Sequence, residues 1–423
     1  MKVLVMTLGT RGDVQPFVAL SRALRDAGHQ VALGAPSRSA VLASPFSVPF
    51  LGVHDRWDEV MSDAVVSAAF ETNFGGLGGL ARGGRAMRRF RPMMRRSLDD
   101  LGAAALEYRP DLVVFHALTL GHEIAERLSV PGVPVCVEPV SVSTRSFANP
   151  MVPFRIPSVL NRLSYRATNV WIRGIVGDRN SARWRREVLR LPRRRGHRNV
   201  LRRPGGDAAT VLQAFSPMLL PQPMDYPSWS HTTGFWFLPP AADWSPPREL
   251  LDFLDCGAPP VYVGFGSLVG TDPVRTGRVV GEAIRLSGAR AIVDAARGGI
   301  VPGTRDDQVL HISQVPFDWL FPRMAAIVHH GGIGTTAVAM ASGRPQVVCP
   351  FMTGQHFYAA RMHASGVSPS PQPQADLSPE RLAEAIRLAA TDQGMASRAR
   401  SLGQSIRTED GVGSAVKILE TLA

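Results

Sequence analysis

The sequence has almost no lysine, few cysteines and no long apolar run. Of its 47 basic residues only Lys2 and Lys417 are lysines, so arginine carries its positive charge. The three cysteines are scattered and odd in number, which argues against a disulfide framework or a zinc site and favours a reducing compartment. No run approaches the roughly 18 apolar residues of a transmembrane helix, and the N-terminus shows no signal-peptide cleavage site. We expect neither a membrane span nor a signal peptide.

Acidic residues are scarce in the first half of the chain. Residues 1–216 hold 31 basic and 17 acidic side chains, whereas residues 217–423 hold 16 and 18. The net charge of +12 therefore comes from the first half. This asymmetry favours an anionic partner: an acidic acceptor, a membrane surface or a nucleic acid. Because no basic motif is interleaved with aromatic residues, a nucleic-acid partner is not expected.

Apolar periodicity predicts two α/β domains built alike. A strand pattern at 2–9, a helical pattern at 14–29 and a strand pattern at 30–36 form one βαβ unit. The same succession restarts with the strand pattern at 259–268, after a proline-rich stretch, 217–247, that suits an ordered interdomain linker. The chain, at 423 residues, is also longer than a domain with a single hydrophobic core usually is. We expect two Rossmann-like, doubly wound domains with a cleft between them.

Two arginine- and glycine-rich stretches, 73–100 and 145–205, interrupt this pattern. The densest part is RWRREVLRLPRRRGHRNVLRR, 183–203. One interpretation is a solvated helix face followed by a loop. The other is a mobile lid that meets an anionic or membrane-borne acceptor. The pattern favours the first interpretation and leaves both open.

Histidines and glycines crowd the turn that ends the strand pattern AAIVHHGG, 325–332. Glycine lets a backbone approach a ligand closely, and unpaired N–H groups at the start of a helix attract anions. Neither a P-loop nor a GxGxxG fingerprint is present. The turn is either a diphosphate cradle or a tight turn with a satisfied histidine, and residue chemistry leaves the two equal. The residues of the candidate cradle are His330, Gly332, Gly334, Thr335 and Thr336.

Six motifs follow one another in order over both halves of the chain. They are TLGTRGDVQPFVALSRAL (7–24), PDLVVFHAL (110–118), HTTGFW (231–236), PPVYVGFGSL (259–268), QVPFDWLFPRMAAIVHHGGIGTT (314–336) and GRPQVVCPFMTGQHFYAARM (343–362). Together they resemble the GT-B nucleotide-sugar glycosyltransferases, and more narrowly the bacterial family-1 branch with glycopeptide-antibiotic, macrolide and sterol glycosyltransferases. The implied division of the α/β chain is an N-terminal acceptor-binding domain, 1–216, the linker, 217–247, a C-terminal nucleotide-sugar-binding domain, 248–400, and a C-terminal helix packing back toward the first domain, 401–423.

The resemblance places most of the donor site in the second domain. The predicted donor-binding residues are Thr10, Arg11, Ser267, Val315, His330, Gly332, Gly334, Thr335, Gly354 and Gln355. Val315 would lie against a uracil or thymine base, and Gln355 would hydrogen-bond sugar hydroxyls. Ser267, His330 and their neighbours in the glycine-rich turn would hold the diphosphate. Thr10 and Arg11 would line the mouth of the first domain.

Two positions depart from the family pattern. Phe317 stands where the family usually has histidine, and it is assigned no role. Gly354 stands where the family usually has an aspartate that accepts hydrogen bonds from the sugar. Because glycine cannot supply that acceptor, the donor sugar would lack or invert a hydroxyl, or carry a group that a carboxylate repels. Alternatively, the site is weak or has drifted.

Asp13 is the predicted catalytic base. Inverting transfer needs a group that takes the proton of the acceptor hydroxyl, and Asp13 follows the first strand pattern, where ligands of such sheets bind. The alternative is a helix N-cap, with Pro16 at an early helical position. The residues leave these two even, and the resemblance favours the base. No Asp-x-Asp triplet, a spacing that often holds a divalent cation, occurs in the chain, so we expect metal-independent chemistry.

The resemblance implies a hexosyltransferase of secondary metabolism, such as antibiotic biosynthesis. It would move a sugar from a UDP- or dTDP-sugar, with inversion, to a hydroxyl of a lipid, polyketide or peptide-type acceptor. The nucleotide sugar is a co-substrate, and no cofactor is expected. We expect a cytoplasmic monomer or homodimer, with peripheral membrane attachment as an open alternative. Two other functions stay open: a catalytically silent auxiliary, which Gly354 slightly favours, and a nucleotide-sugar epimerase on the same scaffold.

Overall fold

The computed structural model describes residues 1–54, 63, 66, 76–152, 154–176, 178–266, 272–294 and 307–422. They form two compact units. Unit 1 contains the described residues of 1–60, 83–238 and 409–423, and unit 2 contains those of 61–82 and 239–408. Each unit has a parallel sheet with helices packed on it. The prediction of two doubly wound α/β domains is confirmed.

The helices alternate with the strands, as the sequence pattern predicts. In chain order they are α1 (Arg11–Asp26), α2 (Ala40–Ala43), α3 (Gly76–Tyr108), α4 (Gly121–Leu128), α5 (Asn161–Val176), α6 (Asp178–Arg183), α7 (Arg248–Asp255), α8 (Pro273–Ser287), α9 (Phe317–Leu320), α10 (Ile333–Ser342), α11 (Thr353–Ala364), α12 (Pro379–Thr391), α13 (Gln393–Arg407) and α14 (Gly411–Glu420).

The sheet of unit 1 has seven parallel strands among the described residues, in the order β3-β2-β1-β4-β5-β6-β7. They are β1 (Lys2–Met6), β2 (Gln30–Pro36), β3 (Phe50–Val53), β4 (Leu112–His116), β5 (Gly132–Cys136), β6 (Val211–Gln213) and β7 (Ser230–Thr232). The inner strands are mostly apolar because both of their faces are buried. The strand order reverses between β1 and β4.

The sheet of unit 2 is also parallel, and the described residues give it the order β10-β9-β8-β11-β12. The strands are β8 (Val261–Gly264), β9 (Ala291–Asp294), β10 (Val309–Ile312), β11 (Ile327–His329) and β12 (Gln346–Val348). Here the order reverses between β8 and β11. The carboxyl ends of these two adjacent strands therefore open toward different connections, which leaves a crevice at this edge of the sheet.

The core of unit 1 includes both ends of the chain. The apolar stripe of α1 that the sequence predicts is fully buried at Phe17, Leu20 and Leu24. Helix α14 packs against α1, and its Leu419 belongs to the same apolar cluster. His29 Nε2 lies 3.1 Å from Glu420 Oε1 at the edge of this contact. The last helix of the chain thus completes the core that begins with β1.

The arginine-rich stretch 183–203 is anchored to unit 1. Trp184 and Arg185 are buried. The Arg185 guanidinium donates to both carboxylate oxygens of Glu126 on α4, at 2.6 and 3.0 Å, and Arg194 donates to the same carboxylate at 2.8 Å. Burial opposes the effect, but these bonds hold the pKa of Glu126 at about 2. The interpretation as a purely solvated face is therefore wrong for Arg185 and Arg194, while Arg193 is exposed.

A buried acid lies beside these ion pairs. The carboxyl group of Glu123 is fully enclosed, and burial raises its pKa to about 8. Its Oε1 contacts Nδ1 of His197, and the His197 carbonyl accepts a 2.6 Å hydrogen bond from His122 Nε2. Burial lowers the pKa of His197 to about 4. The contacts of Glu123 and Glu126 thus attach residues 185–197 to α4.

Candidate active site

The candidate donor site lies at the carboxyl edge of the sheet of unit 2. Strands β8, β11 and β12 are adjacent there, and the strand order reverses between β8 and β11. Open parallel sheets bind ligands at such a reversal. Gly266 follows β8, His330 follows β11 and Gln355 follows β12. The fold therefore brings three separate sequence motifs to one edge.

Two glycines pack against the imidazole of His330. A Cβ added at Gly266 would lie 2.7 Å from His330 Cε1, and one added at Gly332 would lie 2.5 Å from Nε2. Gly266 also has a φ of +71°, which residues with a side chain rarely adopt. Any side chain at either position would displace the ring. The two glycines thus fix where His330 stands.

The imidazole of His330 is neutral and lacks a partner at one nitrogen. Burial lowers its pKa to about 3, so it carries no charge near pH 7. Its Nδ1 is enclosed and makes no hydrogen bond to any residue that the structure describes. Enclosed polar atoms usually have a partner, because leaving one unpaired costs about 1–3 kcal/mol. A bound ligand is a suitable partner at this edge.

The preceding histidine has a different role. His329 is fully buried, and its Nδ1 accepts a hydrogen bond from the Gly331 N–H at 3.1 Å. Its Nε2 therefore carries the proton and donates to Gln346 Oε1 at 2.8 Å. Gly331 itself has a φ of +85° and stands close to Val348. His329 is the satisfied histidine of a tight turn, and His330 is the one directed elsewhere.

Helix α10 starts directly at this turn, with Gly332 as its N-cap. Its first backbone hydrogen bond runs from the Thr336 N–H to the Gly332 carbonyl at 2.9 Å. The N–H groups of the three residues between them have no acceptor within the helix, and they form the positive end of the helix dipole. Gly334 is exposed and Thr335 is half-buried. Thr336 is fully buried, and its Oγ1 has no partner among the described residues.

Gln355 has a structural task at the start of α11. Its Oε1 accepts hydrogen bonds from the backbone N–H of Phe351 at 2.7 Å and of Met352 at 3.2 Å. The side chain is buried. A contact with a sugar would therefore use the Nε2 amide, which can only donate. Gly354, the second residue of α11, is half-buried and offers no side-chain acceptor.

Two further residues that the sequence analysis named, Val315 and Phe317, lie in apolar surroundings. The Val315 side chain is buried in an apolar cluster, so a base stacked there would meet its backbone. Phe317 stacks on Phe321 with ring centroids 4.6 Å apart and meets Tyr262 edge-on at 5.4 Å. An aromatic core contact therefore occupies the position of the family histidine. Ser267 lies outside the described residues.

Unit 1 carries the predicted base at its own strand reversal. Asp13 is the third residue of α1, and Thr10 is the N-cap. Asp13 is therefore not the N-cap itself, but it caps the helix from the third position, in a capping box with Thr10. The Asp13 Oδ2 accepts hydrogen bonds from the Thr10 N–H at 2.8 Å and from Thr10 Oγ1 at 3.0 Å. Its Oδ1 makes no hydrogen bond within the part of the chain that the structure describes. A Cβ at Gly9 would overlap the carboxylate. Arg11 donates to Gln15 Oε1 at 3.0 Å.

Comparison with known protein families matches both halves of the chain. Residues 3–135 match the glycosyltransferase family 28 N-terminal domain, and residues 291–422 match the erythromycin biosynthesis protein CIII-like, C-terminal domain. The O-mycaminosyltylonolide 6-deoxyallosyltransferase of Streptomyces fradiae is 34% identical over 100% of this chain and 98% of its own length. The chain belongs to the GT-B glycosyltransferase family.

Sterol and antibiotic members of the GT-B family are also similar. A sterol 3-beta-glucosyltransferase of Emericella nidulans is 31% identical over 99% of this chain, which spans 30% of that protein. The chain spans between about a third and about two thirds of the sterol relatives it matches. The crystal structure of the glycosyltransferase VinC in complex with DTDP has a TM-score of 0.68 at 20% identity, covering 100% of this chain and 99% of that one. This likeness confirms the GT-B fold.

Sequence reasoning assigned no role to one residue beside the predicted base of this GT-B family member. His116 ends β4, the strand adjacent to β1, and its ring meets that of Phe17 edge-on at 5.9 Å. Burial lowers the pKa of His116, and the negative charge of Asp13 opposes that lowering. Its Nδ1 is enclosed without a partner among the described residues. A histidine at the end of an apolar strand pattern was the available signal.

Proposed function

We propose that this protein is an inverting, metal-independent glycosyltransferase. It moves a sugar from a UDP- or dTDP-sugar to a hydroxyl group of a natural-product or lipid-like acceptor. The observation that carries the proposal is the cradle around His330, where glycine backbones, an unpaired imidazole nitrogen and the start of α10 meet at a strand reversal. These groups are the donors that a diphosphate needs.

In the proposed reaction the acceptor oxygen attacks the anomeric carbon of the sugar. The bond between that carbon and the β-phosphate oxygen breaks, and the nucleoside diphosphate leaves with the electron pair. Asp13 takes the proton of the acceptor hydroxyl through Oδ1, since Oδ2 is held by Thr10. His330 and the N-terminus of α10 stabilise the charge that develops on the leaving diphosphate.

The donor nucleotide is proposed to be UDP or dTDP. The VinC structure holds DTDP, and the fold of that protein matches this chain over its whole length. For the sugar, Gly354 removes the carboxylate that the family pattern would supply. We therefore propose a donor sugar that lacks or inverts a hydroxyl there, or that carries a group that a carboxylate would repel.

The acceptor is proposed to be apolar and rigid. The relatives are named for a macrolide-type acceptor in Streptomyces fradiae and for sterols in plants and fungi. Such acceptors present hydroxyl groups on a large, mostly apolar frame. We place the reaction in the cytoplasm, since the three cysteines are unpaired. No helix among the described residues has the length and apolar character to cross a bilayer.

A donor and acceptor panel tests the proposal. The protein is incubated with UDP- and dTDP-linked hexoses and deoxyhexoses, each with a macrolide aglycone, a sterol or no acceptor. Nucleoside diphosphate release that depends on the acceptor, with one glycoside formed per diphosphate, supports the proposal. Donor binding without release with any acceptor would indicate an auxiliary protein. Conversion of the nucleotide sugar to its isomer would indicate an epimerase.

A further inference from the structure

Helix α5 is built with its polar side inward. Asn161, Ser164 and Thr168 are buried, at the spacing of one helix face. Asn161 donates to the Arg145 carbonyl at 2.7 Å, and the hydroxyl of Ser164 accepts from the Asn149 N–H at 2.8 Å. These bonds attach the helix to the loop that follows β5. The helix is therefore held in unit 1 by these polar contacts together with the buried ring of Tyr165, which meets Phe147 edge-on.

The apolar residues of this region point outward. Val159, just before the helix, is 84% exposed, and Leu163 and Val170 on its outer face are 55% and 67% exposed. Phe154, in the preceding segment, is 68% exposed. The spacing of Val159, Leu163 and Val170 places them along one line of the helix surface. Contiguous exposed apolar residues of this kind mark an interaction surface, whereas scattered single ones do not.

The segment that carries this surface is basic. Residues 139–177 contain five arginines and no aspartate or glutamate. Arg155 and Arg166 are exposed beside the apolar residues. Arg162 is exposed too, and it pairs with Asp225 at 3.4 Å. The docking surface, defined as Phe154, Arg155, Val159, Leu163, Arg166 and Val170, thus combines large apolar side chains with positive charge.

We propose that this docking surface binds an anionic lipid membrane. A helix that lies in the bilayer interface presents leucine, valine and phenylalanine to the acyl boundary and arginine to the headgroups. The apolar groups gain by leaving water, and the arginines gain from the negative surface potential. A second protein chain would need an acidic patch to match the arginines. The membrane supplies that charge complement and the apolar layer together.

Vesicle binding tests the proposal without donor or acceptor, so its outcome does not depend on the proposed transferase activity. The full-length protein is cosedimented with phosphatidylserine-containing vesicles and with pure phosphatidylcholine vesicles. We expect binding to the anionic vesicles, weaker binding to the neutral ones, and release by added salt. No binding to the anionic vesicles, or equal binding to both with no salt effect, would overturn the proposal.

Substitutions on and off the surface locate the contact. The double variant Arg155→Gln, Arg166→Gln should lose about fivefold in vesicle affinity for each arginine. Leu163→Asp should lose about tenfold or more, through lost apolar transfer and added repulsion. Val41→Asp is the matched control, because Val41 is 71% exposed in unit 1 but lies on α2. Equal losses in the control would refute the assignment to α5.

Two further measurements exclude other occupants of the surface. Thermal unfolding confirms that the variants fold, and the arginine variant alone suffices if Leu163→Asp does not. Size-exclusion chromatography detects a second copy: a dimer that Leu163→Asp dissociates, without vesicle binding, would overturn the proposal. So would a rise in acceptor KM in Leu163→Asp with vesicle binding unchanged, since the helix would then line an acceptor site.

Discussion

Replacing Asp13 by asparagine separates catalysis from helix capping. The carboxylate accepts two hydrogen bonds through Oδ2, from the Thr10 N–H at 2.8 Å and from Thr10 Oγ1 at 3.0 Å. An asparagine oxygen can accept the same two bonds, but without charge. Bonds to a charged group contribute about 1.5–3 kcal/mol and neutral ones about 0.5–1.5 kcal/mol. The lost charge at the start of α1 costs about 0.3–1 kcal/mol more.

The ranges above add up to an upper bound, because Asp13 is only half-buried and solvent screens its charge. Asparagine and aspartate also cap helices about equally well. We therefore expect Asp13→Asn to destabilise unit 1 by about 1–2 kcal/mol, or roughly 2–8 °C in Tm for a domain of this size, which is modest beside the expected loss of rate. Loss of a general base lowers turnover by about 10²–10⁴, equivalent to roughly 3–5 kcal/mol of barrier. The variant should stay folded at assay temperature and be nearly inactive. Its affinity for UDP and dTDP should be retained, since the candidate diphosphate cradle belongs to unit 2.

The assay follows nucleoside diphosphate release, with Tm and nucleotide affinity measured on the same preparation. Asp410→Asn is the matched control, because Asp410 is the N-cap of α14 in the same unit and accepts a 2.9 Å bond from the Gly413 N–H. Asparagine and aspartate cap about equally well, so this variant should keep its turnover. Full turnover in a folded Asp13→Asn variant would refute the role of Asp13 as base and leave it a capping residue.

Four other predictions concern separate sites. His330→Ala should weaken UDP and dTDP binding by about 1.5–3 kcal/mol in calorimetric titration, and unchanged affinity would remove His330 from the site. Gly354→Asp should shift relative donor rates toward ordinary hexoses such as glucose; a flat donor ranking would contradict the donor argument. Arg194→Gln should lower the free energy of unfolding by about 1–3 kcal/mol, because it breaks the bond to the half-buried Glu126 carboxylate, whereas the exposed Arg193→Gln should change it by less than about 0.5 kcal/mol. The raised pKa of Glu123 means that its charged form opposes folding, so the stability that the protonated carboxyl contributes is fully present below about pH 4.5 and is lost as the pH rises through about 8. The Tm of Glu123→Gln should therefore rise relative to that of the parent protein as the pH increases over that range. A Tm difference that stays constant over the range would show that Glu123 does not titrate there.

The sequence by itself determined the architecture and the turns that carry the site. Alternating strand and helix periods predicted two doubly wound domains, because each element buries a face of fixed period. The apolar stripe of α1 and the glycines around His330 were visible for the same local reason. Asp13 and His330 are candidate site residues because strand-turn-helix junctions leave unpaired backbone groups at the carboxyl edge of a sheet. Such features depend on neighbours a few residues away.

Only the tertiary structure decided which distant residues meet. The charge of Asp13 affects the pKa of His116 because β4 pairs with β1 at the strand reversal. Gly266 packs on His330 because β8 pairs with β11. The pattern of the arginine stretch favours a solvated face, yet Arg185 is buried against Glu126, 59 positions earlier. Long-range pairing sets these contacts, and no local period in the sequence encodes it. The sequence of helix α5 likewise does not show that its polar face lies inward, where Asn161 and Ser164 bond to backbone groups of the loop after β5.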